Sequence, residues 1–151
     1  MQSRRQTLKQ GAAAVGVLAS GSLLSTQAQA FTKAAFEAKT VADAAKAFGG
    51  NSLTESKDVT IQGPDIAENG AVVPLTAATT LTGVKHLLLL VEKNPNALVA
   101  KFDVNDSVVP SFGTRAKMGQ SSDVYAVAIT NDGKAHYAKK EVKVTLGGCG
   151  G

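Results

Sequence analysis

From Val59 to Leu146 the hydrophobic residues mostly alternate with polar ones, and Gly, Pro, Asn and Asp break the pattern at short intervals. A period of two is the mark of a pleated strand with one face buried, so this chain is committed to short strands joined by tight turns. Val59 and Ile61 alternate with polar neighbours, Gly63-Pro64 interrupts, and Glu68-Asn69-Gly70 turns into a strand over 72–76. Val84 to Val91 is almost continuously apolar, of strand length, and bounded by Gly83 and the turn Lys93-Asn94-Pro95-Asn96; this predicts a buried central strand. Strands are expected at 98–104, 113–118 and 124–130. The hairpin signal Asn131-Asp132-Gly133 then leads into a strand over 134–139. In the last strand Val142, Val144 and Leu146 alternate with Glu141, Lys143 and Thr145. Ahead of all this, Thr40 stands as an N-cap with Asp43 at N3. Val41, Ala44, Ala45 and Phe48 repeat at helical spacing until Gly49-Gly50. One short N-terminal helix and about eight strands predict an all-β fold, an immunoglobulin-like β-sandwich without the Cys and Trp marks of antibody domains.

At 151 residues the chain is one domain's worth. Its single Cys excludes an internal disulfide framework and a cysteine-built metal cage, and two scattered His cannot supply the missing ligands. Residues 1–30 read as an export signal. Ser3-Arg4-Arg5-Gln6-Thr7-Leu8-Lys9 fits the twin-arginine pattern S-R-R-x-F-L-K except at Thr7. A weakly apolar run follows over 11–24, and Ala28-Gln29-Ala30 offers a small-x-small cleavage site after Ala30. The expected location is therefore periplasmic, reached by a route that exports folded proteins. Three of the 16 basic residues lie in that signal, leaving 13 against 12 acidic ones in residues 31–151. With no basic run longer than Lys139-Lys140 and few aromatics, nucleic-acid binding and membrane-surface binding have no support.

The chemistry lies at the end of the chain. Gly147-Gly148-Cys149-Gly150-Gly151 sets the one sulfur nucleophile among four glycines that neither pack against it nor shield it. A flexible arm over 147–151 is expected, with the thiol of Cys149 exposed and able to stand about 10 Å beyond the last strand. No basic neighbour in the arm lowers the thiol pKa, and the terminal carboxylate disfavours the thiolate, so activation is expected to come from a partner. No paired carboxylates, Ser/His/Asp set or phosphate loop points to an independent catalytic site.

These residues resemble the SoxY family of periplasmic sulfur-oxidation proteins. The resemblance rests on the terminal Gly147-Gly148-Cys149-Gly150-Gly151 after the strand 140–146. It is supported by Pro64-Asp65-Ile66-Ala67-Glu68-Asn69-Gly70 with Val73-Pro74, by Lys93-Asn94-Pro95, by the string over 114–122, and by the twin-arginine signal. It implies a carrier rather than an enzyme. The thiol of Cys149 would be joined to the sulfane sulfur of thiosulfate by the haem protein SoxXA, and SoxB would release sulfate to leave a persulfide. SoxCD or another acceptor would take the remaining sulfur. No cofactor is implied beyond the sulfur carried on Cys149. The implied stable partner is SoxZ, an immunoglobulin-like subunit that would be exported bound to this chain as a heterodimer.

Two other readings stay open on sequence alone: a thiol-disulfide redox protein using Cys149, and a ubiquitin-like carrier activating the terminal Gly150-Gly151 as a thiocarboxylate. Neither a C-x-x-C pair nor a basic neighbour supports the first, and the export signal argues against the second. His86 and His136 read as structural. Arg115 with Lys117, and Lys139 with Lys140, read as solvated strand charges that could also face anionic groups or acidic partner clefts.

Overall fold

The structure, a computed structural model, describes residues 33–145. The predicted signal over 1–30 and the predicted arm over 147–151 both lie outside the described residues.

Helix α1 (Val41–Ala47) forms where the capping pattern predicts it. Thr40 Oγ1 accepts the Asp43 N–H at 3.1 Å and donates to the Asp43 carboxylate at 2.7 Å, which satisfies a first-turn donor. Gly49 ends it in the left-handed region, at φ +85°, with its N–H on Lys46 O. The strands follow in order: β1 (Leu53–Glu55), β2 (Val59–Gln62), β3 (Ile66–Ala67), β4 (Val73–Thr79), β5 (Val84–Val91), β6 (Leu98–Asp103), β7 (Ser111–Ala116), β8 (Ser122–Thr130) and β9 (Ala135–Val144).

They form two sheets. The larger runs β1-β9-β8-β5-β6, with β3 beside β9 beyond β1; the smaller runs β2-β4-β7. β5, β6, β8 and β9 pair antiparallel, whereas β1 and β3 lie parallel to β9. One core fills the space between the sheets, where Leu87, Leu89, Val91, Val124 and Val142 meet Val73, Leu75 and Met118. A second core lies on the opposite face of the large sheet. There Val41, Ala44, Ala45 and Phe48 cover Leu88, Leu90, Val127 and Ile129. The immunoglobulin-like sandwich thus carries a helix as a third layer, and this explains the unbroken apolar run. Leu87 to Val91 are all 0% exposed because both faces of β5 are covered.

The expected strands are present with shifted ends. The two segments expected over 134–139 and 141–146 are one ten-residue strand, β9. Lys140 does not break it, because its Nζ leaves the core to reach Gly63 O at 2.6 Å and Asp65 at 2.8 Å. The strand expected over 113–118 is Ser111–Ala116, and β4 extends to Thr79. Strands β1 and β3 carry too few residues to show a period and are held by their pairing with β9.

His86 is half-buried on β5, as a structural residue. Its ring tilts against Phe48 at 5.8 Å, and Nδ1 lies 2.8 Å from Asp103 without the alignment of a hydrogen bond. Burial, with Lys101 and Lys85 nearby, pulls its pKa below 6.5 despite Asp103.

Two outcomes follow. Leu88→Ala and Leu89→Ala point to opposite faces, and each should cost about 2–5 kcal/mol in urea unfolding; a near-neutral Leu88→Ala would contradict the helix-covered face. Because His86 binds a proton less readily folded than unfolded, its contribution is present above pH 6.5 and is lost as the pH falls toward the lowered folded value. The wild type should therefore lose stability in that window relative to His86→Gln, and parallel profiles would contradict this.

Candidate functional site

The described residues end at Thr145, just after β9 and four positions before Cys149, and they build an anchor there. Lys143 N–H donates to Asp65 O at 3.0 Å and Thr145 N–H to Ala67 O at 3.1 Å, which ties one edge of β9 to β3. Val144 N–H donates to Ser121 Oγ at 2.9 Å, which ties the other edge to the segment entering β8. Thr145 Oγ1 donates to Glu68 O at 3.1 Å. Three consecutive backbone donors are thus satisfied at the strand exit, where fraying would otherwise begin.

Around this exit three loops lock together. Met118 N–H donates to Gly70 O at 2.7 Å, and the Met118 side chain is fully buried as the plug of the inter-sheet core. Asn94 Nδ2 donates to Lys117 O at 2.7 Å, and Lys93 N–H to Ser122 Oγ at 3.0 Å. Asn69 Oδ1 accepts the Ala71 N–H at 2.8 Å, an Asx turn that sends the chain from β3 into β4. Gly63 passes close to the core, since a Cβ there would meet Leu75 Cδ2 at 2.6 Å and force that side chain to move. The loops 63–71, 93–96 and 117–122 therefore form one polar platform beneath the exit of β9. Two large apolar side chains near it, Ile66 within the first loop and Val72 just after it, are more than half exposed.

The charges at this end are mostly committed. Lys140 pairs with Asp65, whose carboxyl it holds below the usual range, and Lys139 pairs with Asp123 at 3.2 Å. Arg115 and Lys117 are exposed and meet no acidic partner among the described residues. His136 lies far from the exit, near the β8-β9 hairpin, where it helps line a cavity of about 270 Å³ with Asp132 and Lys134. No group of three or more His, Cys, Asp or Glu that could hold a metal is found among the described residues. No helix there is long and apolar enough to cross a membrane.

Cys149 and its glycines, Gly147, Gly148, Gly150 and Gly151, lie outside the described residues. What the structure adds is the anchor. In the sequence Asn94 reads as a turn residue, Thr145 as a polar position of the last strand, and Ser121 only as part of a string that carries the resemblance. Their roles are side-chain bonds to distant backbone, which leave no periodic trace in a sequence.

The fold and the anchored last strand define an immunoglobulin-like sandwich built to hold its C-terminal strand firmly at the exit. Comparison places this architecture. The sequence model of the family described as sulfur oxidation protein SoxY matches residues 44–149. The structure of the sulfur carrier protein SoxY from Chlorobium limicola f thiosulfatophilum is 36% identical, with a TM-score of 0.61, over 68% of this chain and 92% of that one. The chain belongs to the SoxY family. Superoxide reductases (neelaredoxins) from Ignicoccus hospitalis share the fold alone. One has a TM-score of 0.53 at 14% identity over 61% of this chain and 94% of its own, and another has 0.51 at 16% over 57% and 79%. No curated protein sequence matches.

Replacing Ser121 with Ala leaves the Val144 N–H without its acceptor. Amide exchange at Val144 and Thr145 should then quicken about fivefold, as loss of roughly 1 kcal/mol of hydrogen bonding implies. Unchanged exchange would mean that Ser121 does not hold the exit.

Proposed function

We propose that this chain is a periplasmic sulfur carrier, exported by the twin-arginine route with cleavage after Ala30, that binds thiosulfate-derived sulfur covalently on the thiol of Cys149. It is not itself an enzyme in this reading. The observation that carries it is the extent of the family match, which runs to residue 149, the one cysteine, four positions beyond the anchored Thr145.

Loading joins the Cys149 sulfur to the sulfane sulfur of thiosulfate. One S–S bond forms, the thiol proton is released, and two electrons pass to the haem partner SoxXA. The product is a cysteine S-thiosulfonate carrying one negative charge. Hydrolysis by SoxB then breaks the bond between the sulfane and sulfonate sulfurs, with water supplying oxygen to sulfate and a proton to the remaining persulfide. SoxCD, or another acceptor, takes that sulfur. The carrier contributes a tether. Intermediates that would diffuse away stay at high effective concentration for each enzyme in turn, and the glycines of 147–151 let the thiol reach into different clefts. In this reading thiolate formation falls to the enzyme that receives the arm. On the last strand the described cations closest in sequence to Cys149 are Lys143, which is exposed, and Lys140, which is engaged by Asp65. SoxZ is the second subunit of this reading.

Cys149→Ser tests it. With SoxZ, SoxXA and thiosulfate, the wild-type peptide bearing residue 149 should gain a mass that a thiol reductant removes, and Cys149→Ser should gain none. Loading that persists in Cys149→Ser would contradict the thiol as the attachment point.

A further inference from the structure

The smaller sheet ends at β7, and the outer edge of that strand is open. Thr79 N–H donates to Pro110 O at 3.0 Å, which sets the alternation along the β4-β7 ladder. Positions 112, 114 and 116 exchange bonds with β4, while Ser111, Gly113 and Arg115 turn their N–H and C=O groups outward. Pro74, opposite Arg115, agrees with this register because it has no N–H to give. The two ends of the outer edge are closed: Ser111 N–H goes to Val109 O at 2.8 Å, and Lys117 O accepts from Asn94 Nδ2 at 2.7 Å. Between them, the outward groups of Gly113 and Arg115 meet no protein partner among the described residues.

The other edges carry the usual guards against strand addition. β6 has a register shift opposite Leu89 and Leu90 and a Lys101–Asp103 ion pair at 2.6 Å, whereas β1, β2 and β3 are at most four residues long. β7 is six residues long, pairs with β4 without irregularity, and contains neither Pro nor an acid. Gly113 sits at the centre of the open window, as glycine does where another backbone comes close. Beside it is a cavity of about 230 Å³ lined by Pro74, Thr76, Gly113 and Arg115.

We propose that β7 is the edge on which the second subunit adds an extended strand, with an acidic residue set opposite Arg115. This rests on the reading of the chain as half of a two-subunit carrier. Charge selects the occupant. No acidic residue lies between Asp106 and Asp123, so pairing with a second copy would bring Arg115 and Lys117 of both chains together with nothing to neutralise them. The edge runs toward Met118 and the platform, so a strand seated there would lie beside the exit of β9.

The test is titration of the chain with purified SoxZ, together with amide exchange over 111–117. On complex formation the Gly113 and Arg115 amides should slow. Gly113→Pro removes one outward N–H that makes no internal bond, at a glycine whose φ is not positive. It should weaken binding about tenfold or more, as should the exposed charge reversal Arg115→Glu. If Gly113→Pro fails to fold, Arg115→Glu with wild-type thermal unfolding carries the test. Wild-type affinity in a folded variant, with unprotected amides in the complex, would overturn the edge and leave the two-subunit reading standing. Failure of the wild type to bind SoxZ would overturn both. Dimerisation of the chain alone that Gly113→Pro abolishes would give the edge to a second copy and overturn the proposal.

Discussion

Lys143, Val144 and Thr145, at the end of the last strand, each give their backbone N–H to another segment: to Asp65 and Ala67 at β3 on one edge and to Ser121 on the other. A strand end is ordinarily where pairing dissolves into solvent. Here each of these donors is bonded, and several parts of the sandwich meet at that point. The two-residue β3 exists only as a ladder on β9, Gly63 and the Lys140–Asp65 pair set its approach, and Met118 plugs the core beneath the platform. The helix layer acts at a distance. By covering the second face of the large sheet it buries β5 and β8, on which β9 is laid.

The core was legible in the sequence because burial leaves a period. Val84–Val91 is a strand with the bounds its composition predicts, and Thr40 with Asp43 places the helix start. Pairing partners left no such trace. β1 and β3 are too short to alternate, and β9 read as two strands because the charged pair Lys139-Lys140 interrupts its pattern. In the fold, one lysine lies toward Asp123 and the other toward Asp65, so neither charge is buried unpaired. The platform was visible only as separate turns and as strings resembling a family. Its bonds join Asn94 to Lys117 and Ser121 to Val144 across more than twenty residues, and only the topology brings those positions together.

The proposed carrier would separate two tasks that an enzyme combines. In the proposed reading the body offers a fixed point of departure, and its described residues hold no group of three or more His, Cys, Asp or Glu that could bind a metal. The reactive atom of the proposed carrier is Cys149, chemically plain until another protein receives it. Such a division suits a tether that must serve several active sites in succession, because any activating group built into the body would favour one step over the rest.

The most direct measurement is intact mass with peptide mapping of the protein taken, unreduced, from the periplasm of thiosulfate-grown cells. The account predicts thiosulfonate or persulfide adducts on the peptide carrying Cys149, removable by a thiol reductant. A bare or merely disulfide-linked Cys149, or sulfur on the Gly151 carboxylate instead, would contradict it.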